Sequence, residues 1–318
     1  MLFVLISNRL RSVLAFAIAC AVALGGLGPN EVDADILYVT YYNTDKVVKW
    51  DTNGTLIGDF ATTNLSNSTG IVLDSAGNAW VSNAFGGTYQ NTVSLFDASG
   101  TYLSNITGLH DPAGLLRDAS GNLFVANYRV DSVTKYDPSG AFLSQFGNAT
   151  NMNGPQGIAI DGSGNFYTAN FDGNTISKFD SSGVFLSTFA SVTKPAGMEF
   201  NSAGDLLVAS FTTNQILKYD ASGTLLQTIS HESLDGPYGF AIDPDDNIYA
   251  ANAEGNSITA FDPSGTFVQT WSLGDGAGNR PAFIAFRPVP VPEPSSFALL
   301  AVGAAGMAAW KVRRKRVK

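Results

Sequence analysis

From residue 36 to residue 287 the chain alternates short apolar runs with clusters of Gly, Asn, Asp and Ser. Over residues 157–196 the apolar runs are 158–160, 166–169, 175–179 and 184–189. They are separated by Asp161-Gly162-Ser163-Gly164-Asn165, a loop around Asp172, and Asp180-Ser181-Ser182-Gly183. Runs this short, rich in β-branched and aromatic residues, predict strands, and glycine in the connections predicts tight turns. We label the four strands of such a unit a, b, c and d in chain order.

The unit recurs. Its leading glycine is Gly70, Gly114, Gly157, Gly197 and Gly239, and Phe283 takes the sixth place, at spacings of 44, 43, 40, 42 and 44 residues. Between strands c and d the turn reads Asp97-Ala98-Ser99-Gly100, Asp137-Pro138-Ser139-Gly140, Asp180-Ser181-Ser182-Gly183, Asp220-Ala221-Ser222-Gly223 and Asp262-Pro263-Ser264-Gly265. Aspartate opens such a turn by accepting backbone hydrogen bonds, and glycine supplies the positive φ. Asp74, Asp118, Asp161 and Asp243 open the a–b turns by the same logic and are read as structural. A period in the forties with four strands per unit predicts propeller blades. Residues 36–40, 47–51 and 56–60 match strands b, c and d, and residues 283–286 match strand a alone. The two remnants complete one blade, so the sequence predicts an all-β, six-bladed β-propeller whose ring is closed by pairing its N- and C-terminal strands.

The wording Gly-Ile-Ala-Ile-Asp-Gly-Ser-Gly-Asn-Phe-Tyr-Thr-Ala-Asn at 157–170, with Ile-Ser-Lys-Phe-Asp at 176–180, resembles the NHL repeat, and the resemblance spans residues 35–288. Three departures stand out. Ser68 sits where other units have Pro112, Pro155, Pro195, Pro237 and Pro281, Phe283 replaces the leading glycine, and Asp205 replaces an asparagine.

The two ends read as addresses. Residues 1–34 carry Arg9 and Arg11, an apolar run over 12–27, and the small-residue site Val32-Asp33-Ala34, the pattern of a secretory signal peptide cleaved after Ala34, with Ala23 as the earlier alternative. Cys20, the one cysteine, falls in the apolar run, so neither an intrachain disulfide nor a cysteine metal cluster can form. At the other end a proline-rich linker (289–296) precedes an apolar stretch (297–310), expected to be a transmembrane helix, and a basic tail (311–318) expected to be cytoplasmic. Pro292, Glu293 and Pro294, then Gly303 and Gly306, then the stop Arg313, Arg314, Lys315 and Arg316 resemble a PEP-CTERM sorting signal. The resemblance implies export through the secretion machinery of a Gram-negative bacterium, recognition by an exosortase at the Pro-Glu-Pro motif, and a final place in the membrane, on the cell surface or in the extracellular matrix, in an exopolysaccharide or biofilm context.

Charge narrows the partners of the middle. Residues 35–288 hold 10 basic against 24 acidic side chains, which repels a phosphate backbone and excludes nucleic acid. No Gly-x-Ser-x-Gly elbow, P-loop or dinucleotide fingerprint occurs. The a–b and c–d turns are nearly identical between units, whereas the b–c and d–a loops vary and fall on the same face of a propeller, so binding is expected on that variable face. At the end of each strand b stand Tyr41, Asn83, Asn127, Asn170, Ser210 and Asn252, read either as a ligand-binding ring or as turn caps. His110 and His231, the only histidines, lie in d–a loops beside Asp111, Glu232 and Asp235 and are the candidates for acid–base chemistry. Two histidines without a cysteine exclude a three-histidine zinc site, no cofactor is expected, and calcium held by Asn and Asp oxygens at the channel mouth is the metal left open. The sequence therefore points to an exported, envelope-associated, monomeric propeller that binds a polysaccharide, peptide or protein through its variable face. The alternative is a secreted metal-dependent lactonase or lyase of the gluconolactonase-like kind, with its site at the channel mouth.

Overall fold

The computed structural model describes residues 35–84, 86–274 and 278–287. The signal peptide, the linker with its Pro-Glu-Pro motif, the apolar stretch and the basic tail lie outside the described residues. No helix among the described residues is long and apolar enough to cross a membrane.

Twenty-four strands form six four-stranded antiparallel sheets. Blade 2 is β4 (Ser68–Leu73), β5 (Ala79–Asn83), β6 (Thr92–Phe96) and β7 (Tyr102–Ile106). Blade 3 is β8 (Pro112–Arg117), β9 (Leu123–Asn127), β10 (Ser132–Tyr136) and β11 (Phe142–Phe146). Blade 4 is β12 (Pro155–Ile160), β13 (Phe166–Asn170), β14 (Thr175–Phe179) and β15 (Phe185–Ser191). Blade 5 is β16 (Pro195–Phe200), β17 (Leu206–Ser210), β18 (Gln215–Tyr219) and β19 (Leu225–Ser230). Blade 6 is β20 (Pro237–Ile242), β21 (Ile248–Asn252), β22 (Ser257–Phe261) and β23 (Phe267–Ser272). Blade 1 is composite, as the repeat arithmetic predicts: the C-terminal β24 (Pro281–Arg287) pairs with β1 (Ile36–Tyr41), followed by β2 (Lys46–Asp51) and β3 (Leu56–Ala61). All six pairings close within residues 36–287, so the propeller is complete without its flanking segments.

The leading glycine of each repeat has a packing reason. A Cβ on Gly70, Gly114 or Gly157 would sit 2.2–2.4 Å from the carbonyl oxygen of Ala113, Gln156 or Ala196 in the innermost strand of the next blade. Only a residue without a side chain lets these strands approach so closely around the axis. Four of the c–d turn glycines, Gly100, Gly183, Gly223 and Gly265, perform the same service at the outer rim. Gly183 has φ +86°, and a Cβ there would lie 2.6 Å from the Phe146 side chain of the preceding blade. Its turn is held by Asp180, whose Oδ1 accepts from the Ser182 N–H at 2.9 Å, the Val184 N–H at 2.9 Å and the Ser182 hydroxyl at 2.7 Å.

Aromatic and aliphatic side chains fill the gaps between blades. Phe124 meets Phe166 with ring centroids 4.6 Å apart across blades 3 and 4, and Tyr167 meets Phe200 at 5.2 Å across blades 4 and 5. Both Phe124 and Tyr167 are fully buried, and burial of such rings is the main favourable contribution to folding.

Register fixes the faces. Ser68 pairs with Asn83 and Asn83 with Thr92, so the start of strand a, the end of strand b and the start of strand c share one face with the d–a loops. The repetitive turns occupy the other. Ile36 pairs with both Asp51 and Arg287, which puts the first residue of β1 and the last of β24 on the repetitive-turn face.

Candidate functional site

The six positions closing strand b, Tyr41, Asn83, Asn127, Asn170, Ser210 and Asn252, are all buried. Their polar atoms are engaged inside the blades. Asn83 donates to the Thr92 and Ser94 hydroxyls, both at 2.9 Å, and accepts from the Ser66 N–H at 3.0 Å. Asn170 donates to Ser177 at 2.8 Å, and Asn252 to Ser257 at 3.1 Å and Thr259 at 2.9 Å. Asn127 donates to Thr134 at 3.1 Å and accepts from the His110 N–H at 3.3 Å. The Ser210 hydroxyl donates to the Thr193 carbonyl at 2.6 Å, and the Tyr41 hydroxyl accepts from Trp50 Nε1 at 3.0 Å. Asn83, Asn127, Ser210 and Asn252 bond directly to the d–a loop before their own blade, Asn170 reaches its loop through Ser177, and Tyr41 joins strands b and c, so five of the six side chains latch a loop.

The sequence carries a signal for this. Blades with Asn at the end of strand b place Ser94, Thr134, Ser177 or Thr259 at the third position of strand c, whereas the blades with Tyr41 and Ser210 place Val48 and Leu217 there. A second latch was not foreseen. Asp45, Asn91, Asp131, Asn174, Asn214 and Asn256 close the b–c loops with φ between +48° and +58°, the left-handed region that Asn and Asp tolerate best. Five of them accept from the residue preceding the next strand a, as Asn174 does from the Lys194 N–H at 2.9 Å and Asn214 from the Gly236 N–H at 2.8 Å.

The residue after each strand b is what reaches the mouth of the variable face. These are Tyr42, Ala84, Tyr128, Phe171, Phe211 and Ala253, aromatic in four of six blades. Phe171 and Phe211 lie 5.8 Å apart, and Tyr238, from the start of β20, lies 6.2 Å from Phe171 and 5.7 Å from Phe211. Tyr42, Tyr128, Phe171, Phe211 and Tyr238 are all half-buried, so each presents part of its ring to solvent.

Charged pairs surround the rings. Lys194 Nζ lies 2.9 Å from Asp172 and 4.7 Å from the Phe171 centroid, and the Tyr128 hydroxyl donates to Asp172 at 2.6 Å. Arg280 pairs with Glu254 at 2.9 Å and stands over Tyr42 at 5.9 Å, and Arg129 pairs with Asp111 at 3.2 Å. Burial and the Asp172 carboxylate push the Tyr128 phenol up to about 12. Burial also raises Tyr238 and Tyr42, the latter helped by Asp111. At Asp172 burial works upward, but the hydrogen bonds from Tyr128 and Lys194 overcome it and hold the carboxyl below its ordinary value. The phenols thus stay protonated at neutral pH, and the mouth offers ring faces, hydroxyl groups and both signs of charge.

The two histidines lie in different d–a loops. His110 is exposed in the loop before β8 and His231 follows β19, three blades away. The His231 ring is stacked on Phe267 of the outermost strand β23, 4.1 Å between centroids and 6° between planes, with Nδ1 2.8 Å from the Ser233 hydroxyl. Asp111 is drawn to Arg129, while Glu232 and Asp235 are exposed. The structure therefore does not gather the two imidazoles and their neighbouring carboxylates at one point. Among the described residues no three His, Cys, Asp or Glu side chains are placed together to hold a metal ion.

Residues 290–315 match the family model described as the PEP-CTERM protein-sorting motif. The chain carries a PEP-CTERM sorting signal. That signal implies recognition by an exosortase, export, and sorting to the membrane or surface. No curated protein matches the chain. Among solved structures, a protein of unknown function from Bacteroides caccae is similar over 81% of this chain and 100% of its own, at 16% identity and a TM-score of 0.64. A chain of a nidogen/laminin complex is similar over 80% of this chain and 98% of its own, at 16% identity and a TM-score of 0.67. A streptogramin B lyase is similar over 79% of this chain and 78% of its own, at 17% identity and a TM-score of 0.56. At these identities the likeness is one of fold.

Proposed function

We propose that this PEP-CTERM protein is an exported, envelope-associated propeller that binds a polysaccharide, peptide or protein partner at the aromatic mouth of its variable face. The observation that carries this reading is the cluster of Phe171, Phe211 and Tyr238, half-buried at the mouth and flanked by Tyr42, Tyr128 and three charged pairs. Exposed rings with hydroxyl and charged neighbours suit sugar faces and peptide side chains, since the rings give contact area at little entropic cost and the polar groups set orientation. An exopolysaccharide or a surface protein outside the cell is the partner that the sorting signal makes accessible, with export by the Sec route.

The lactonase or lyase alternative has less support. It needs an acid–base pair aimed at one substrate atom, and His110 and His231 stand three blades apart.

The test is a glycan and peptide array probed with the propeller (residues 35–288) and with its Phe171→Ala and Phe211→Ala variants. Saturable binding that falls about tenfold or more in both variants, with the melting temperature of each within a few degrees of the parent, supports the mouth as the binding site. Binding untouched by either substitution would overturn it.

A further inference from the structure

Beneath the aromatic mouth the six innermost strands line a half-open chamber of about 470 Å³. Its walls are the second halves of β4, β8, β12, β16, β20 and β24, so it lies toward the repetitive turns. Phe283 separates the two spaces: it lines the chamber and its ring lies 5.7 Å from Tyr238 above.

Two residues beyond the leading position of each repeat, five strands present Val72, Leu116, Ala159, Ala241 and Ala285, and β16 presents Glu199. Glu199 Oε2 accepts from the Ile242 N–H at 3.1 Å, and the side chain is half-buried. Nearby charges are committed elsewhere. Asp161, after β12, bonds Asn165 and faces Lys178, while Asp243, after β20, bonds Asn247 and Tyr249. Asp205, before β17, pairs with Lys218 at 3.2 Å, and Arg117, which also lines the chamber, faces Asp74 at 3.5 Å and donates to the Gly121 carbonyl. Glu199 is thus a half-buried carboxyl in a mostly apolar wall, and none of these charged groups forms an ion pair with it.

We propose that the chamber is a binding site for a small organic cation, an ammonium group carried on an apolar body, with Glu199 as its counter-ion. The volume is that of a small-molecule site, and the lining is mostly apolar side chains with Glu199 and Arg117 as its charged groups, Arg117 being turned toward Asp74. An ionised carboxylate in such walls is costly without a partner, so the empty chamber favours the neutral acid. Burial accordingly pushes Glu199 up to about 8, against the small opposing effect of the Ile242 hydrogen bond. An ammonium ion supplies the missing charge: it enters protonated, the Glu199 proton leaves to solvent, and an ion pair remains at the half-buried carboxylate. A neutral alcohol of the same length gains only the apolar contact.

The experiment is titration calorimetry of the propeller (residues 35–288) with n-hexylammonium chloride at pH 7, in phosphate and in Tris, with 1-hexanol as the neutral control. Saturable binding is expected, with release approaching one proton per site, and that release should vanish above about pH 9. Glu199→Gln keeps an acceptor for the Ile242 N–H; it should weaken the amine about tenfold or more, abolish proton release, and leave 1-hexanol unchanged. The proposal is overturned if the amine gives no saturable heat, binds without releasing a proton, or binds the variant equally well. The proton count needs no variant, so it decides the question even if the substitution impairs folding.

Discussion

The Phe283 ring meets Tyr238 edge-on, with centroids 5.7 Å apart and planes at 89°, in the register that glycine fills in the other five blades. Five glycines bring the innermost strands together, and the sixth position spends its space on an aromatic ring between mouth and chamber. Phe283→Ala is expected to cost about 2–4 kcal/mol, the lower range for a large core ring since Phe283 is only half-buried. The urea midpoint of the propeller measures it.

Glycine at the axis and glycine in an open turn should respond very differently to the same change. A Cβ on Gly157 would lie 2.2 Å from the Ala196 carbonyl oxygen, whereas a Cβ on Gly162 meets nothing within 4 Å. Gly157→Ala should therefore destabilise by roughly 2 kcal/mol or more, because backbone of the next blade must shift. Gly162→Ala should stay within about 0.5 kcal/mol of the parent. Paired thermal melts distinguish the two.

Glu199 makes a pH prediction whose sign is set by its raised value. An acid with a higher pKa folded than unfolded favours the folded state when protonated. That contribution is full below about 4.5, falls as pH rises toward about 8, and is flat beyond. Glu199→Gln lacks it, so the melting temperature of the variant minus that of the parent should grow from pH 5 to pH 8 and then level off. The turn aspartates, such as Asp180 and Asp220, have lowered values set first by their serine hydrogen bonds, so they lose their contribution only in more acid solution, outside this window.

At the mouth, Tyr128→Phe removes the hydroxyl that donates to Asp172 at 2.6 Å. The pair is exposed, so stability should change by no more than about 0.5 kcal/mol. The Asp172 carboxyl should instead titrate higher than in the parent, since one of the hydrogen bonds holding it down is lost. Carbon-detected NMR titration of its side chain reads the shift.

The propeller was legible in the sequence because its period, its Asp-x-Ser-Gly turns and its complementary terminal remnants each point to the same architecture. The variable face was legible only in part. An asparagine at a strand end satisfies a loop and a ligand equally well on paper, and only the partners Ser94, Thr134, Ser177 and Thr259, two residues into the facing strand, mark it as a latch. The mouth residues Phe171 and Phe211 sit one place beyond, where units differ and the repeat gives no register. Glu199 occupied a variable slot of the repeat. Its meaning comes from the five apolar residues that share its level, a relationship made by ring closure.

Strand direction has one more consequence. The first residue of β1 and the last of β24 emerge side by side on the repetitive-turn face. The face bearing Phe171, Phe211 and Tyr238 is the opposite one, so the two ends of the described ring leave the aromatic bowl unobstructed.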